Sequence, residues 1–295
     1  MGDKKQRRIN LKMDSIISSK AMLIKMSVSM WTARKYDKKA SIETARNNNA
    51  DENKSGRFNK ILIAEDAIKT IQKTVNEART YHYNNTLPWG NDESRLLPAN
   101  LYFQYTQKMR GYSGEFEKAV NVFIANYPAL VEDARGRLGD MFNKLEYPGQ
   151  DSLKALYSFS MAVNPVPVSG DFRVEISEAD LNAVRAEIEK NCQAAQAGAI
   201  NELWERLNKV LVPYARLSDP EAVFRDSLVY NVQDLCTLIP KLNITADAAL
   251  NAICAEINKT IGEYYPQTLR DDARARSQAI KEAGEFIDRI KTMRP

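Results

Sequence analysis

Few residues in this chain could do acid–base or metal chemistry. Its 295 residues include one histidine and three cysteines. A metal centre with two histidine ligands cannot be built in one chain, and a Ser-His-Asp or Cys-His site would have to use His82. That residue stands in Tyr81-His82-Tyr83, at the end of a predicted helix. The helix dipole favours a cation there, so His82 reads as a capping or packing residue, with general-base catalysis as the alternative. Cys192, Cys236 and Cys254 each fall on the apolar stripe of a predicted helix. They read as buried free thiols in a reducing compartment. Asp37 with Glu52-Asn53-Lys54 loosely matches the acidic-x-Lys pattern of metal-dependent nucleases, where two carboxylates hold Mg²⁺ and the lysine orients water. Such a site needs rigid strands, whereas Glu52 falls in an Asn-rich loop, and the pattern is common by chance. The P-loop, GxGxxG, HExxH, paired CxxC and GxSxG motifs are absent from the sequence. The balance leans away from an enzyme, and no metal or cofactor is expected.

Charge is the more informative property. The net +4 of the whole chain hides a division. Residues 1–60 hold 15 Lys and Arg against 6 Asp and Glu, while 61–295 hold 27 against 32. The cations of the first segment stand among aromatic residues. They are Lys4, Lys5, Arg7, Arg8 and Lys12, then Trp31, Arg34, Lys35, Tyr36, Lys38 and Lys39, then Arg57 beside Phe58 and Lys60. Cations next to rings that can stack are what single-stranded nucleic acid binding uses. The plainer reading is a solvated face with Trp31 in the core. A second aromatic series, Tyr102, Phe103, Tyr105, Tyr112, Phe116, Phe123 and Tyr127, has helical spacing and reads as core or helix–helix interface.

The elements that must position these residues follow from periodicity. Ile24, Met26, Val28 and Met30 alternate with polar residues, which predicts a strand over 22–32. Residues 46–57 read as a mobile loop and 61–83 as an amphipathic helix. Residues 84–98 read as a loop. A long apolar stripe runs from Leu101 to Tyr127, and Pro128 is placed as the first residue of a further helix. Strands are predicted over 157–164 and 171–176. Ser177-Glu178-Ala179-Asp180 resembles a capping box opening a helix that Pro213 closes. Ser218-Asp219-Pro220-Glu221 and Thr245 are read as the next caps, Pro240 as a stop, and one last helix follows Pro266.

The expected fold is α+β, predominantly helical, with a small antiparallel three-stranded sheet from about 22–32, 157–164 and 171–176. Residues 1–20 are expected to form a basic arm, and 21–295 one integrated domain whose 177–295 part is helical. No apolar run approaches the ~20 residues of a membrane span or the core of a signal peptide. A membrane partner is not expected, and a cytoplasmic setting is.

Several segments together resemble a family of tailed-bacteriophage proteins of unassigned function. They are Met30-Trp31-Thr32-Ala33-Arg34-Lys35, Gly56-Arg57-Phe58-Asn59-Lys60, Thr86-Leu87-Pro88-Trp89, Leu96-Leu97-Pro98, Pro165-Val166-Pro167 with Gly170-Asp171-Phe172-Arg173-Val174, and Phe224-Arg225-Asp226-Ser227-Leu228-Val229. Their series covers roughly 24–260. The resemblance implies a phage or prophage origin, the cytoplasm of a host cell, and association with MoxR-type AAA ATPases. It carries over no catalytic residue. On this reading the first expectation is a non-catalytic phage protein that acts by binding a protein partner or itself. The alternative is single-stranded nucleic acid binding or annealing through the basic, aromatic-containing segment.

Overall fold

The computed structural model describes residues 17–90, 93–171, 176–218 and 224–294. It is predominantly helical with small sheets, the expected α+β class. The described part of α1 is 17–20. There follow β1 (Ala21–Ser29), β2 (Arg34–Tyr36), α2 (Lys38–Asn47), β3 (Asn59–Ile61), α3 (Glu65–Asn84), β4 (Leu87–Pro88) and β5 (Arg95–Pro98). Then come α4 (Tyr102–Leu138), α5 (Gln150–Ala155), β6 (Ser158–Asn164), α6 (Glu178–Ala215), α7 (Ser227–Leu242), α8 (Ala248–Lys259), α9 (Pro266–Asp271) and α10 (Ala273–Met293).

Among the described residues, one sheet has four strands in the order β4-β5-β1-β6 and another pairs β2 with β3. β1 and β6 fall where alternation placed them. The stretch 84–98, read as a loop, instead supplies β4 and β5. Both are too short to show a period, yet Leu87, Leu96 and Leu97 are fully buried. β5 runs antiparallel to β1, with Met22 opposite Leu97 and Leu23 opposite Leu96. Pro88 is tolerated because β4 lies at the sheet edge, where a ladder donor is not needed. Of the strand expected over 171–176, residues 172–175 lie outside the described residues, and Ser169–Asp171 forms a 3₁₀ turn.

Several helix boundaries differ from the expectation. α4 continues through Pro128 instead of restarting there. Proline has no N–H to give to the carbonyl four residues back, that of Ile124. The Gln150 side-chain amide donates to that carbonyl instead, at 3.0 Å. α6 and α7 each run two residues past their prolines, Pro213 and Pro240. The cap of α8 is Asp247, whose carboxylate accepts from the amides of Ala249 and Leu250, and not Thr245. The last helix is two, because Asp272 takes an extended conformation and caps α10. Ser177 does cap α6, accepting from the Asp180 amide at 3.2 Å while its hydroxyl donates to the Asp180 carboxylate at 2.6 Å. The cap read at Ser218-Asp219-Pro220-Glu221 lies largely outside the described residues.

Two compact units are built from interleaved stretches. One comprises the described residues of Met1–Lys25, Tyr83–Tyr105 and Ala162–Pro295; the other comprises Met26–His82 and Thr106–Met161. Residues 1–16 of the basic arm read from the sequence lie outside the described residues. The first unit is a helical assembly of α6, α7, α8 and α10, closed around Trp204, Leu211, Val232, Ile239, Ile253 and Ala283. Cys192, Cys236 and Cys254 are buried thiols outside any disulfide, as their stripe positions require. Arg206 serves as a bracket in this unit. Its guanidinium donates to the carbonyls of Tyr83, Asn84 and Thr86 at 2.8–2.9 Å and to Glu202 at 3.0 Å. The carbonyls of Tyr83 and Asn84 end α3, where a helix leaves its acceptors unmet and welcomes a cation.

The second unit has its own apolar core. Ile63, just before α3, and Ile68, Ile71 and Val75 within it meet Phe116, Val120, Phe123 and Tyr127 from α4. Of the aromatic stripe, Tyr105, Phe116, Phe123 and Tyr127 are interior, as helical spacing predicts, whereas Tyr102 and Phe103 are 40% and 79% exposed. His82 is buried in the last turn of α3. No helix among the described residues is long and apolar enough to cross a membrane.

Candidate nucleic-acid interface

The residues singled out in the sequence separate into three groups. Lys4, Lys5, Arg7, Arg8 and Lys12 lie outside the described residues. Arg34, Lys35, Tyr36, Lys38, Lys39 and Arg57 are exposed on the surface of the second unit. Trp31 and Lys60 turn inward.

β2 presents Arg34, Lys35 and Tyr36 to solvent. It is held by its ladder to β3, with Lys35 opposite Lys60 and Tyr36 opposite Asn59. The turn out of β2 is fixed by Asp37. Its carboxylate accepts from the Ala40 amide at 3.0 Å and so caps α2. Its backbone N–H donates to the Phe58 carbonyl at 3.0 Å. Ser41 completes the junction: its hydroxyl donates to the Asp37 carbonyl at 2.7 Å and accepts from the Phe58 amide at 2.9 Å. These bonds set Phe58 beside the start of α2. The Arg57 guanidinium lies 5.7 Å from the centre of the Tyr36 ring, within cation–π range. Tyr36 and Phe58 remain 46% and 42% exposed, so both rings keep a face available for stacking.

Cations outnumber carboxylates around these rings. Lys38 and Lys39 open α2, and no acidic residue stands in its first turn. Cations at a helix N-terminus oppose the dipole at a cost of about 0.3–1 kcal/mol each. Lys35, Lys38, Lys39 and Arg57 are exposed and form no ion pair among the described residues. Arg34 differs in that it pairs with Glu65, at the first position of α3.

Lys60 is removed from the basic surface. Its side chain is 4% exposed, and its ammonium sits 2.7 Å from Glu146 Oε2, 3.5 Å from Asp37 Oδ2 and 2.7 Å from the Met141 carbonyl. The Glu146 contact is an ion pair by distance, although its angle falls outside hydrogen-bond geometry. The Ala40 amide, together with the Lys60 charge, holds the Asp37 carboxyl below the usual carboxylate range against the opposing effect of burial. Trp31 is half-buried and meets Tyr127 edge-on, with ring centres 6.0 Å apart.

The nuclease pattern is not assembled. Asp37 is committed to the α2 cap and Lys60, and Glu52 pairs with Arg46 at 2.7 Å. No cluster of three metal-ligating side chains occurs among the described residues.

Comparisons with known families, curated proteins and solved structures found no match to this chain.

Sequence reading missed two parts of this surface. The helix over 38–47 has a polar composition that hides its amphipathicity; only Asp37 followed by Ala40 marked a cap. The partner of Arg34 is 31 residues away, and nothing local announces Glu65.

Proposed function

We propose that this chain binds single-stranded nucleic acid, without catalysis, through the β2 surface of its second unit. The observation that supports this most is that Lys35, Lys38, Lys39 and Arg57 are exposed and unpaired among the described residues, with Arg57 over the half-exposed ring of Tyr36 and next to the half-exposed Phe58. Phosphates would be neutralised by the cations and bases stacked on the rings. Four such contacts, at about 0.7 released counterions each, give a log–log salt slope of roughly −3. Fluorescence anisotropy with a labelled oligothymidylate tests this. The triple change Lys35→Ala, Lys38→Ala, Lys39→Ala weakens binding more than about tenfold at low salt and flattens the slope. Absence of binding by the unmodified protein at low salt ends the proposal. The setting we propose is the cytoplasm of a host cell carrying a phage or prophage, on the resemblance of the segments between 24 and 260.

One observation favours a second reading, self-association. An open groove of about 650 Å³ runs between α3 and α4, floored by Ile71, Ala119 and Phe123. Val122 borders it and is 62% exposed. A two-fold interface needs a knob and a hole on the same face, and this face has both. Light scattering after size exclusion decides: a dimer that Val122→Glu turns into a monomer supports this reading, and a concentration-independent monomer removes it.

A further inference from the structure

Beside the cationic strip, the second unit holds a cavity of about 260 Å³ that opens to solvent. Its apolar lining includes the buried side chains of Ile63, Ile68 and Ile71, and Trp31 contributes an aromatic surface. The exposed residues of the lining include Arg34, Glu65 and Gln72. Arg34 therefore belongs both to the strip along β2 and to the mouth of the cavity.

These features restrict what fits. Small-molecule pockets usually enclose about 300–1,000 Å³. This cavity is below that range and has room for one compact ring system. Isoleucine walls and an indole suit flat apolar faces. A guanidinium, a carboxylate and an amide at the mouth suit an occupant whose edge carries both donors and acceptors. An unstacked nucleobase has that combination of apolar faces and polar edge. The Arg34–Glu65 ion pair does not bar entry, because both side chains are more than half exposed and surface pairs of this kind are weak. Once opened, it offers a donor and an acceptor for the edge of a base.

We propose that this cavity accepts one unstacked base from a strand whose phosphates meet the basic residues of the β2 surface. The inference rests on the nucleic-acid reading above and adds an enclosed site for one base, separate from those stacked on Tyr36 and Phe58.

Two probes separate the claims: a short oligothymidylate, and an abasic deoxyribose-phosphate strand of the same length. Both are titrated at low salt into the full chain and into Trp31→Leu. The expected result is that the oligothymidylate binds about tenfold more tightly than the abasic strand, a typical yield for one stacked base. It also quenches a tryptophan emission that the abasic strand leaves unchanged. Trp31→Leu lowers the preference to what stacking on Tyr36 and Phe58 supplies, removes the quench and leaves abasic binding as it was. If neither strand binds, the nucleic-acid reading fails and this inference fails with it. If both bind equally, or Trp31→Leu leaves their affinity ratio unchanged, the base pocket is overturned alone. Should Trp31→Leu not fold, the tryptophan emission of the unmodified protein decides by itself.

Discussion

The Asp37 carboxylate performs two tasks at one turn: it caps α2 through the Ala40 amide and it faces the buried Lys60 ammonium. Its acidity is raised chiefly by that amide, with Lys60 adding to the effect. A carboxyl with a lower pKa in the folded chain than in the unfolded one favours folding while it is ionised. The contribution is complete above the unfolded value, near 4, and disappears as pH falls through the folded value. Thermal melts between neutral pH and about pH 3 should therefore show a loss of stability below roughly pH 4. Asp37→Asn should be less stable by about 1 kcal/mol at neutral pH and lose less on acidification, because asparagine still caps but cannot pair with Lys60. At this scale the sequence was legible in part. The types and grouping of Arg34, Lys35, Tyr36, Lys38, Lys39 and Arg57 announced a basic, aromatic surface. Lys60 could not be separated from them, because its burial depends on Glu146 and Met141, more than 80 residues away.

Helix α4 shows how one side-chain donor can replace a missing backbone donor. Pro128 leaves the Ile124 carbonyl without its usual partner, and Gln150 supplies one from the first residue of α5. Gln150→Ala should cost about 1 kcal/mol in urea denaturation, the net worth of one such hydrogen bond. In a Pro128→Ala background the cost should fall close to zero, because an alanine there brings its own N–H. Equal costs in both backgrounds would show that the amide is not replacing the absent donor. Helices were the most legible elements, since their apolar stripes repeat over many turns. The prolines misled because a local rule for stopping a helix was applied where packing overrides it. The stripe through Phe116, Val120, Phe123 and Tyr127 buries enough apolar surface to carry the helix across one lost bond.

At the scale of the whole molecule, neither unit is a continuous piece of chain. The first draws on residues either side of the second, and Arg206 in α6 takes its acceptors from Tyr83, Asn84 and Thr86. A fragment of residues 177–295 lacks those acceptors and the buried Leu87, Leu96 and Leu97. It should keep helical circular dichroism but lose a sharp thermal transition; a cooperative melt like that of the full chain would contradict this. The sheet was the least legible feature. β4 and β5 have two and four residues, too few for a period, and their place depends on pairing with β1 some 70 residues earlier.

The position of β1 also sets a timetable. It lies between β5 and β6 in the sheet, and Leu23 and Ile24 are buried in the finished protein. On a ribosome, β1 is complete at residue 29, β5 at 98, and β6 does not begin until 158. At roughly 5–20 residues per second, the strand waits on the order of ten seconds for its second neighbour. During that interval its apolar residues and one hydrogen-bonding edge are open to any other nascent chain. Yield of soluble protein should therefore depend on translation speed and chaperone supply more than on the stability of the completed fold.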